Sequence, residues 1–247
     1  MVRSSSRVAL KRSCLILNRS ARANSYQRYW GADMGEIIAY IAMGTGWTVV
    51  MTFGSAAIGI VLGLPMLALA QSRFSAARGI YHAIVHVVRG IPTIVWLFIA
   101  FFGVGQLGIT LSPVTASLLV LSIIATAYMA EIYRGGIQAV PAGQWEAAGA
   151  LNLDQFSTLR FIIGPQLFRA VSPSVATQVI GLLKDSALVS TIGVADLVFR
   201  AGIMTQYHAH GLYMFGTAGL IYLALSLPIA AFSRNIHARI TRRYALA

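Results

Sequence analysis

No charged residue occurs in residues 37–70, a stretch dominated by apolar side chains. A helix of about 20 apolar residues crosses the hydrocarbon core of a bilayer, so this stretch exceeds one straight span. Gly44 and Gly46 offer a break in it. The pattern predicts a short surface segment over residues 36–45, followed by a membrane-spanning helix over residues 46–70.

Composition also indicates a membrane protein. Hydrophobic residues make up 57% of the 247 residues and charged residues only 11%, whereas soluble domains carry about 25% charged residues. The length suits one membrane domain without an appended soluble enzyme. The single cysteine, Cys14, cannot build a disulfide framework or a thiolate metal cluster.

The net charge of +12 is concentrated near the amino terminus, where seven of the 19 Lys and Arg residues precede Trp30. The other basic residues mostly lie in short gaps between apolar runs, as in membrane topology, so nucleic-acid binding is not expected. Residues 1–33 contain no apolar run long enough for a signal peptide. We interpret them as a basic extension, either disordered or upstream of a natural start at Met34, and residues 34–247 as the transmembrane domain.

Further apolar runs are long enough to span a bilayer; these are residues 91–109, 111–130 and 212–232. A shorter run of 13 residues, 171–183, ends at Lys184 and Asp185. A helix of that length rises about 20 Å, less than the roughly 30 Å core. The two charges either pair inside the membrane or mark a broken helix that faces a cavity. Both placements are costly, which indicates a function.

The distribution of basic residues predicts the orientation. Ten of them lie in 71–89, 131–170 and 233–247, against two in the alternate connectors. The positive-inside rule then places the long central loop and the carboxyl terminus in the cytoplasm. Five spans put the amino terminus outside, which the basic charges of residues 1–33 contradict, and this is a second reason to doubt that they are native structure.

One helical face before the second apolar run carries three polar side chains. His82, His86 and Arg89 fall at i, i+4 and i+7, hence on the same side of a helix. The simplest interpretation is a polar stripe at the membrane surface, and the alternative is the cationic wall of a translocation path. Pro92 is expected to kink the chain directly afterwards.

Three smaller patterns have simple structural interpretations. Gly59 and Gly63 form a GxxxG pattern that permits close helix packing. Glu131 and Arg134, at i and i+3, are most simply an ion pair at a helix end, or else an intersubunit or gating contact near the cytoplasmic mouth. The histidines within 208–210 favour an ordinary external loop over a metal site.

The polar segment after the third span is the most informative one. Residues 144–151 favour a short helix, with Glu146 near its start. Asn152 can end that helix in the left-handed conformation, and Asp154 can cap a second short helix over 154–163. Two such helices at an angle suit insertion into a groove of a partner protein.

This segment resembles the coupling loop of ABC importer permeases, whose motif runs Glu-Ala-Ala, three residues, Gly, nine residues, Ile, any residue, Leu-Pro. The matching positions are Glu146, Ala147, Ala148, Ile162 and Pro165. Two positions depart from the motif. Asn152 replaces the glycine and can keep its turn, and Gly164 replaces the leucine.

Other motifs are similar to the polar amino-acid uptake branch of these permeases, the histidine/glutamine/arginine type. They are the stretch 130–148, the Arg-Gly-Ile-Pro-Thr of 89–93 and the Leu-Lys-Asp-Ser-Ala-Leu of 183–188. Trp96 stands where a glutamine is expected for that branch. The motifs occur in the correct order from about Trp47 to the tail, so the resemblance covers most of the chain.

The resemblance implies an all-α integral membrane fold, a five-helix ABC importer permease core with a cytoplasmic coupling helix, in the bacterial inner membrane. The implied partners are an ABC ATPase dimer, a second permease subunit (the same or a different chain) and an extracytoplasmic substrate-binding protein. The chain has no P-loop, so ATP and Mg are expected in the partner ATPase, and this chain is expected to bind no cofactor. No Ser/His/Asp or paired-carboxylate arrangement suggests catalysis.

The expected function is import of an amino acid or related small zwitterion. The residues expected to couple to the ATPase are Glu146, Ala147, Ala148, Asn152 and Pro165. The candidate translocation path or gate consists of Arg89, Pro92, Trp96, Glu131, Arg134, Lys184 and Asp185. The alternatives are an ABC permease for an opine or organosulfur compound, an ion-coupled secondary transporter, or a membrane scaffold that transports nothing.

Overall fold

A computed structural model of the protein describes residues 33–208 and 210–244, with side chains up to Arg234. The basic extension before Asp33, the middle of the 208–210 motif and the last basic side chains of the tail lie outside the described residues. Within the described ranges all regular structure is helical, which confirms the all-α prediction.

The helices follow one another with short connections. They are α1 Met34–Ala42, α2 Thr45–Ala70, α3 Ser75–Gly90, α4 Thr93–Phe98, α5 Val104–Gln106, α6 Pro113–Gln138, α7 Ala142–Ala150, α8 Gln155–Ser157, α9 Gly164–Asp185, α10 Leu197–Tyr207 and α11 Gly211–Tyr244. Wider π-helical turns cover Ile99–Gly103 and Thr158–Ile163, and a 3-10 helix covers Ser186–Ile192.

By length and composition, four helical stretches of the described chain are able to cross a membrane. They are Met34–Ala70, Pro113–Gln138, Gln155–Ile192 and Gly211–Arg234. A fifth crossing results if the bent pair of α3 and the stretch Thr93–Gln106 is one span. With the bent pair counted as one span, the number equals the five predicted spans.

The second apolar run begins at a sharp elbow. The axis of α3 and that of the following helical stretch meet at 97°. Pro92 causes this elbow, because it has no N–H to donate and it holds Ile91 in an extended conformation, with φ −97° and ψ 132°. The predicted kink at Pro92 is confirmed, and the helical stretch that follows it ends at Gln106, before the end of the apolar run.

The third predicted span ended too early. Helix α6 continues through residue 130 to Gln138, so Glu131 and Arg134 lie inside it and not at its end. Apolar content alone sets the end of a predicted span, whereas the backbone hydrogen bonds of a helix continue through charged residues whose charges are satisfied.

The short run 171–183 belongs to a longer helix. Helix α9 begins at Gly164 and continues through Lys184 to Asp185, after which the 3-10 helix extends it to Ile192. The prediction that the helix ends before Lys184 and Asp185 is therefore wrong. The α-helix does change into a 3-10 helix directly after these two residues. No ion pair joins these two described side chains, because consecutive residues point about 100° apart on a helix.

The centre of the molecule is the contact of α2 with α6. A Cβ built on Gly59 would lie 2.5 Å from the Cβ of Ala125, and one on Gly63 would lie 2.9 Å from the Cβ of Met129. Only hydrogen fits at these distances, so the two glycines allow the two backbones to approach closely. The packing role predicted for the GxxxG pattern is confirmed.

The chain breaks between α1 and α2, where the sequence predicted a break. A Cβ on Gly44 would lie 2.5 Å from the carbonyl oxygen of Asp196, so this turn packs directly against the start of α10. The inner face of α1, with Ile37 and Ile41, is buried against α10 and α11. The segment predicted to lie on the surface is thus partly packed, and α10 itself was not predicted.

Candidate functional site

The loop after α6 has the geometry that the motif requires. Helix α7 ends at Ala150, and Asn152 follows with φ 51°, as the single non-glycine residue of the described chain with a positive φ. The N–H of Leu153 donates to the carbonyl of Ala148 at 3.1 Å, and that of Asn152 to the carbonyl of Gly149 at 2.9 Å. This pair of bonds is the Schellman motif, so the predicted left-handed end of the helix is confirmed.

The motif residues of α7 divide between the inside and the outside. Ala148 is buried with 1% of its surface exposed, whereas Glu146 and Ala147 are exposed. A hydrogen bond between two side-chain amides also holds α7 in place, because Nε2 of Gln166 donates to Oε1 of Gln144 at 3.0 Å. Sequence reasoning missed this bond, because the two residues are 22 positions apart and each is an ordinary surface glutamine.

Asp154 caps the next helix, as predicted. Its carboxylate accepts hydrogen bonds from the backbone N–H groups of Phe156 and Ser157, at 3.1 and 3.2 Å. Hydrogen bonding from Ser157, to which Phe156 adds, holds the pKa of Asp154 below its usual value. The cap therefore remains charged at neutral pH and favours the amino-terminal end of the helix.

The predicted second short helix does not stop at Ile163. The π-helical turn Thr158–Ile163 joins it to α9 without a break. Pro165 lies in the first turn of α9, where a wider preceding turn relieves the clash of its ring with the carbonyl four residues earlier. The separate short helix α7 is therefore confirmed, whereas the second helix is not short and forms the start of the continuous helical stretch Gln155–Ile192.

Glu131 is the centre of a charged cluster between α3 and α6. Arg134 donates to it from Nε and Nη2, both at 2.9 Å, which confirms the predicted i, i+3 ion pair. The guanidinium of Arg89 lies 3.6 Å from the same carboxylate and stacks over the ring of Tyr128, 4.7 Å from its centre. The hydroxyl of Tyr81 donates a further hydrogen bond to Glu131.

The elbow at Pro92 is held from two sides. Nε1 of Trp96 donates to the carbonyl of Val88 at 3.2 Å, which satisfies one of the acceptors that the end of α3 leaves without a helical partner. The hydroxyl of Thr93 donates to the carboxylate of Asp185 at 3.4 Å. This contact ties the elbow to the point where α9 changes into a 3-10 helix.

The candidate path residues thus form two groups. Arg89, Glu131 and Arg134 form the charged cluster, while Pro92, Trp96 and Asp185 lie at or against the elbow. Lys184 is exposed and belongs to neither group. Sequence reasoning missed Tyr81 and Thr93, whose partners are 50 and 92 residues away.

The three polar side chains that were predicted to share one helical face lie on α3. The rings of His82 and His86 stack with their centres 6.0 Å apart and both side chains are exposed, as is that of Arg89. Tyr81 and Val85 are buried against the helix bundle. Whether this face meets the membrane surface or a translocation path stays a prediction.

Comparison with known proteins gives consistent matches over most of the chain. Residues 56–242 match the family described as binding-protein-dependent transport system inner membrane component. The chain is 36% identical over 210 residues to a Bacillus subtilis protein named "Probable amino-acid ABC transporter permease protein YckA", covering 85% of this chain and 91% of that protein.

Two further matches are similar in extent. The arginine ABC transporter permease protein ArtQ of Haemophilus influenzae is 36% identical over 202 residues, covering 78% of this chain and 91% of the relative. A solved structure described as an amino acid ABC transporter with histidines superposes with a TM-score of 0.77 at 30% identity, covering 84% of this chain and 99% of that chain.

Proposed function

The chain belongs to the family of binding-protein-dependent transport system inner membrane components, and we propose that it is the permease subunit of an ATP-driven importer for an amino acid. The names of the relatives include amino-acid and arginine transport. These names favour a small zwitterionic substrate. The alternative, an ion-coupled carrier, would give the α7 loop no function.

The α7 loop is the observation that carries this proposal. It combines an exposed Glu146, a buried Ala148 and a left-handed turn at Asn152, so that one short helix is displayed at a fixed angle to α9. A short helix displayed in this way fits the groove of a partner protein. Its partner in the proposal is an ABC ATPase.

The partner supplies the chemistry. In the proposal an ATPase dimer binds ATP and Mg and hydrolyses the ATP, while this chain binds no cofactor and catalyses no reaction. A second permease subunit completes the pore, and an extracytoplasmic protein delivers the substrate. Closure of the ATPases would move α7 and switch the pore between inward- and outward-facing states.

The orientation of the chain is part of the proposal. The α7 loop and the carboxyl terminus face the cytoplasm, as the basic residues of 131–170 and of the tail predict. This orientation places Glu146 on the cytoplasmic side of the membrane, where ATP is available to an ATPase. It places the connection between α9 and α10 on the side where a binding protein docks.

The charged candidate path residues are assigned to two different tasks. We assign the charged cluster around Glu131 to holding α3 against α6, and Asp185 with Lys184 to the neighbourhood of the substrate. An amino acid carries one ammonium and one carboxylate, and the carboxylate of Asp185 and the ammonium of Lys184 can each bind the group of opposite charge. Unchanged transport in the alanine variants of both residues would exclude this assignment.

The first test is capture of the ATPase from detergent-solubilised membranes by the tagged chain. We expect ATPase activity in the eluate of the natural chain and its loss with Glu146→Lys, because the charge is reversed on the exposed side of α7. The matched control is Glu36→Lys, the same change at an exposed glutamate of α1. Absence of ATPase activity from the eluate of the natural chain would refute the importer and favour an ion-coupled carrier.

Substitution of Asn152 tests the turn itself. Asn152→Gly should retain substrate-stimulated ATPase activity in reconstituted vesicles, because glycine adopts a positive φ freely. Asn152→Ile should lose most of that activity, since a β-branched residue at φ 51° is a steric outlier with a cost of about 1–3 kcal/mol. Equal activity of the two variants would show that the left-handed turn is not needed for coupling.

A further inference from the structure

The π-helical turn Thr158–Ile163 connects the α7 loop to α9. It closes with a hydrogen bond from the N–H of Gly164 to the carbonyl of Leu159, five residues earlier. An α-helix would instead use the carbonyl four residues earlier. The turn therefore contains one residue more than an α-helical turn, and π-helical turns of this kind occur frequently at functional sites.

The burial pattern of this turn follows a period of five. Thr158 and Ile163 are both buried, with 7% and 0% of their surfaces exposed. Phe156 and Phe161 are both exposed, at 67% and 69%. In an α-helix, residues five apart point about 140° away from each other, so neither pair could share a face. The turn aligns one pair inward and the other outward.

The outward pair and a cation form a compact group, which we name the aromatic patch (Phe156, Arg160 and Phe161). The guanidinium carbon of Arg160 lies 5.9 Å from the ring centre of Phe156 and 5.6 Å from that of Phe161. Both distances are in the range of cation–π contact. Phenylalanine and arginine are both enriched in protein interfaces relative to the rest of the protein surface.

Gly164 is the residue that permits this arrangement. A Cβ built at position 164 would lie 2.5 Å from the carbonyl oxygen of Leu159, the acceptor of the turn's own hydrogen bond. A side chain there therefore disfavours the turn and favours an α-helical connection. An α-helical turn contains one residue fewer than the π-helical turn. The change would therefore rotate the residues that precede the turn by about 100° relative to α9.

We propose that Gly164 is a positioning residue that keeps the π-helical turn and thereby builds the aromatic patch as a second contact surface for the ATPase, beside α7. This inference rests on the proposed function for the identity of the partner. It also accounts for the glycine at the position where the coupling motif has leucine. Any side chain at position 164 dissolves the patch by rotating Phe156 away from Phe161.

Chemical labelling of a cysteine measures the rotation directly. The natural Cys14 is replaced by serine, Thr158→Cys is introduced, and the purified full-length chain is treated with a water-soluble maleimide. Labelling should be slow in the natural background, where position 158 is buried, and about tenfold faster with Gly164→Ala, because thiol reactivity follows exposure. Phe156→Cys should react rapidly in both backgrounds as the reference.

Capture of the ATPase measures the consequence. We expect Gly164→Ala and Gly164→Leu to lower the ATPase bound per permease by about tenfold or more, the loss typical of an interface hot spot. Gly181→Ala is the matched control, since it adds the same atom to the same helix in open space. Alanine normally stabilises a helix relative to glycine by about 1 kcal/mol. A Gly164→Ala protein that is folded and stable but captures little ATPase would therefore show a defect in positioning and not in folding.

The outcomes are distinguishable. Slow labelling of Thr158→Cys in the Gly164→Ala background, or undiminished capture of the ATPase by Gly164→Leu, overturns the role of Gly164. Failure of the natural chain to capture any ATPase refutes the proposed function. Even then the labelling experiment decides whether Gly164 holds the turn.

Discussion

Replacing Gly59 by leucine is expected to prevent accumulation of folded protein. A Cβ at this position would lie 2.5 Å from the Cβ of Ala125 and 2.8 Å from its carbonyl carbon. No rotamer relieves a contact with backbone atoms, so α2 and α6 must move apart along the centre of the bundle. We expect a cost of about 3 kcal/mol or more, at the upper end of the overpacking range, since small residues allow the backbones of membrane helices to approach.

The comparison is with Gly46→Leu in the same helix. A Cβ at Gly46 meets no atom within 4 Å, so the same substitution should leave the yield and the melting temperature nearly unchanged. Both variants can be compared by size-exclusion profile and thermal unfolding in detergent. A monodisperse Gly59→Leu protein that melts with the natural chain would show that the α2–α6 approach is not required.

Replacing Glu131 by glutamine is expected to have the second largest effect. The carboxylate accepts from Tyr81 and Arg134 and lies 3.6 Å from Arg89. Glutamine removes the negative charge between two guanidinium groups that are only about one third exposed. Because solvent partly screens these groups, we expect the loss of the charge and of its hydrogen bonds to cost about 1–2 kcal/mol. We expect a lower melting temperature of the purified complex and loss of transport, because α3 is no longer held against α6.

Two further variants make this a graded test. Tyr81→Phe removes one hydrogen bond and keeps the packing, so its expected cost is about 1 kcal/mol. Glu36→Gln changes an exposed glutamate of α1 and should stay within about 0.5 kcal/mol. An equal effect of Glu131→Gln and Glu36→Gln would exclude the cluster as the joint between the two helices.

Several parts of the site could be predicted from the sequence because they depend on neighbouring residues. The left-handed end of α7 needs only a residue that tolerates a positive φ, and Asn152 is one. The cap by Asp154 involves N–H groups two and three residues later. The pair of Glu131 and Arg134 is one helical turn apart. The bend at Pro92 follows from a missing N–H.

Other features could not be predicted, because they depend on segments that are distant in the sequence. The bonds of Glu131 to Tyr81 and of Asp185 to Thr93 join residues 50 and 92 positions apart. Nothing in the sequence near Gly164 distinguishes a π-helical turn from an α-helical one, since the buried pair Thr158 and Ile163 becomes a pair only when the bundle covers it. Prediction from the sequence also divided the continuous stretch 155–192 at its charges.

The sequence by itself determined the class of this protein, the approximate positions of its long apolar helices and the left-handed turn at Asn152. These properties follow from long uncharged runs and from local backbone preferences, which each segment carries wherever it lies. Only the tertiary structure decided the direction of the elbow, the partners of Glu131 and Asp185, and the register between the α7 loop and α9. Such contacts form only when separate helices pack together and exclude solvent, so their geometry depends on the bundle as a whole.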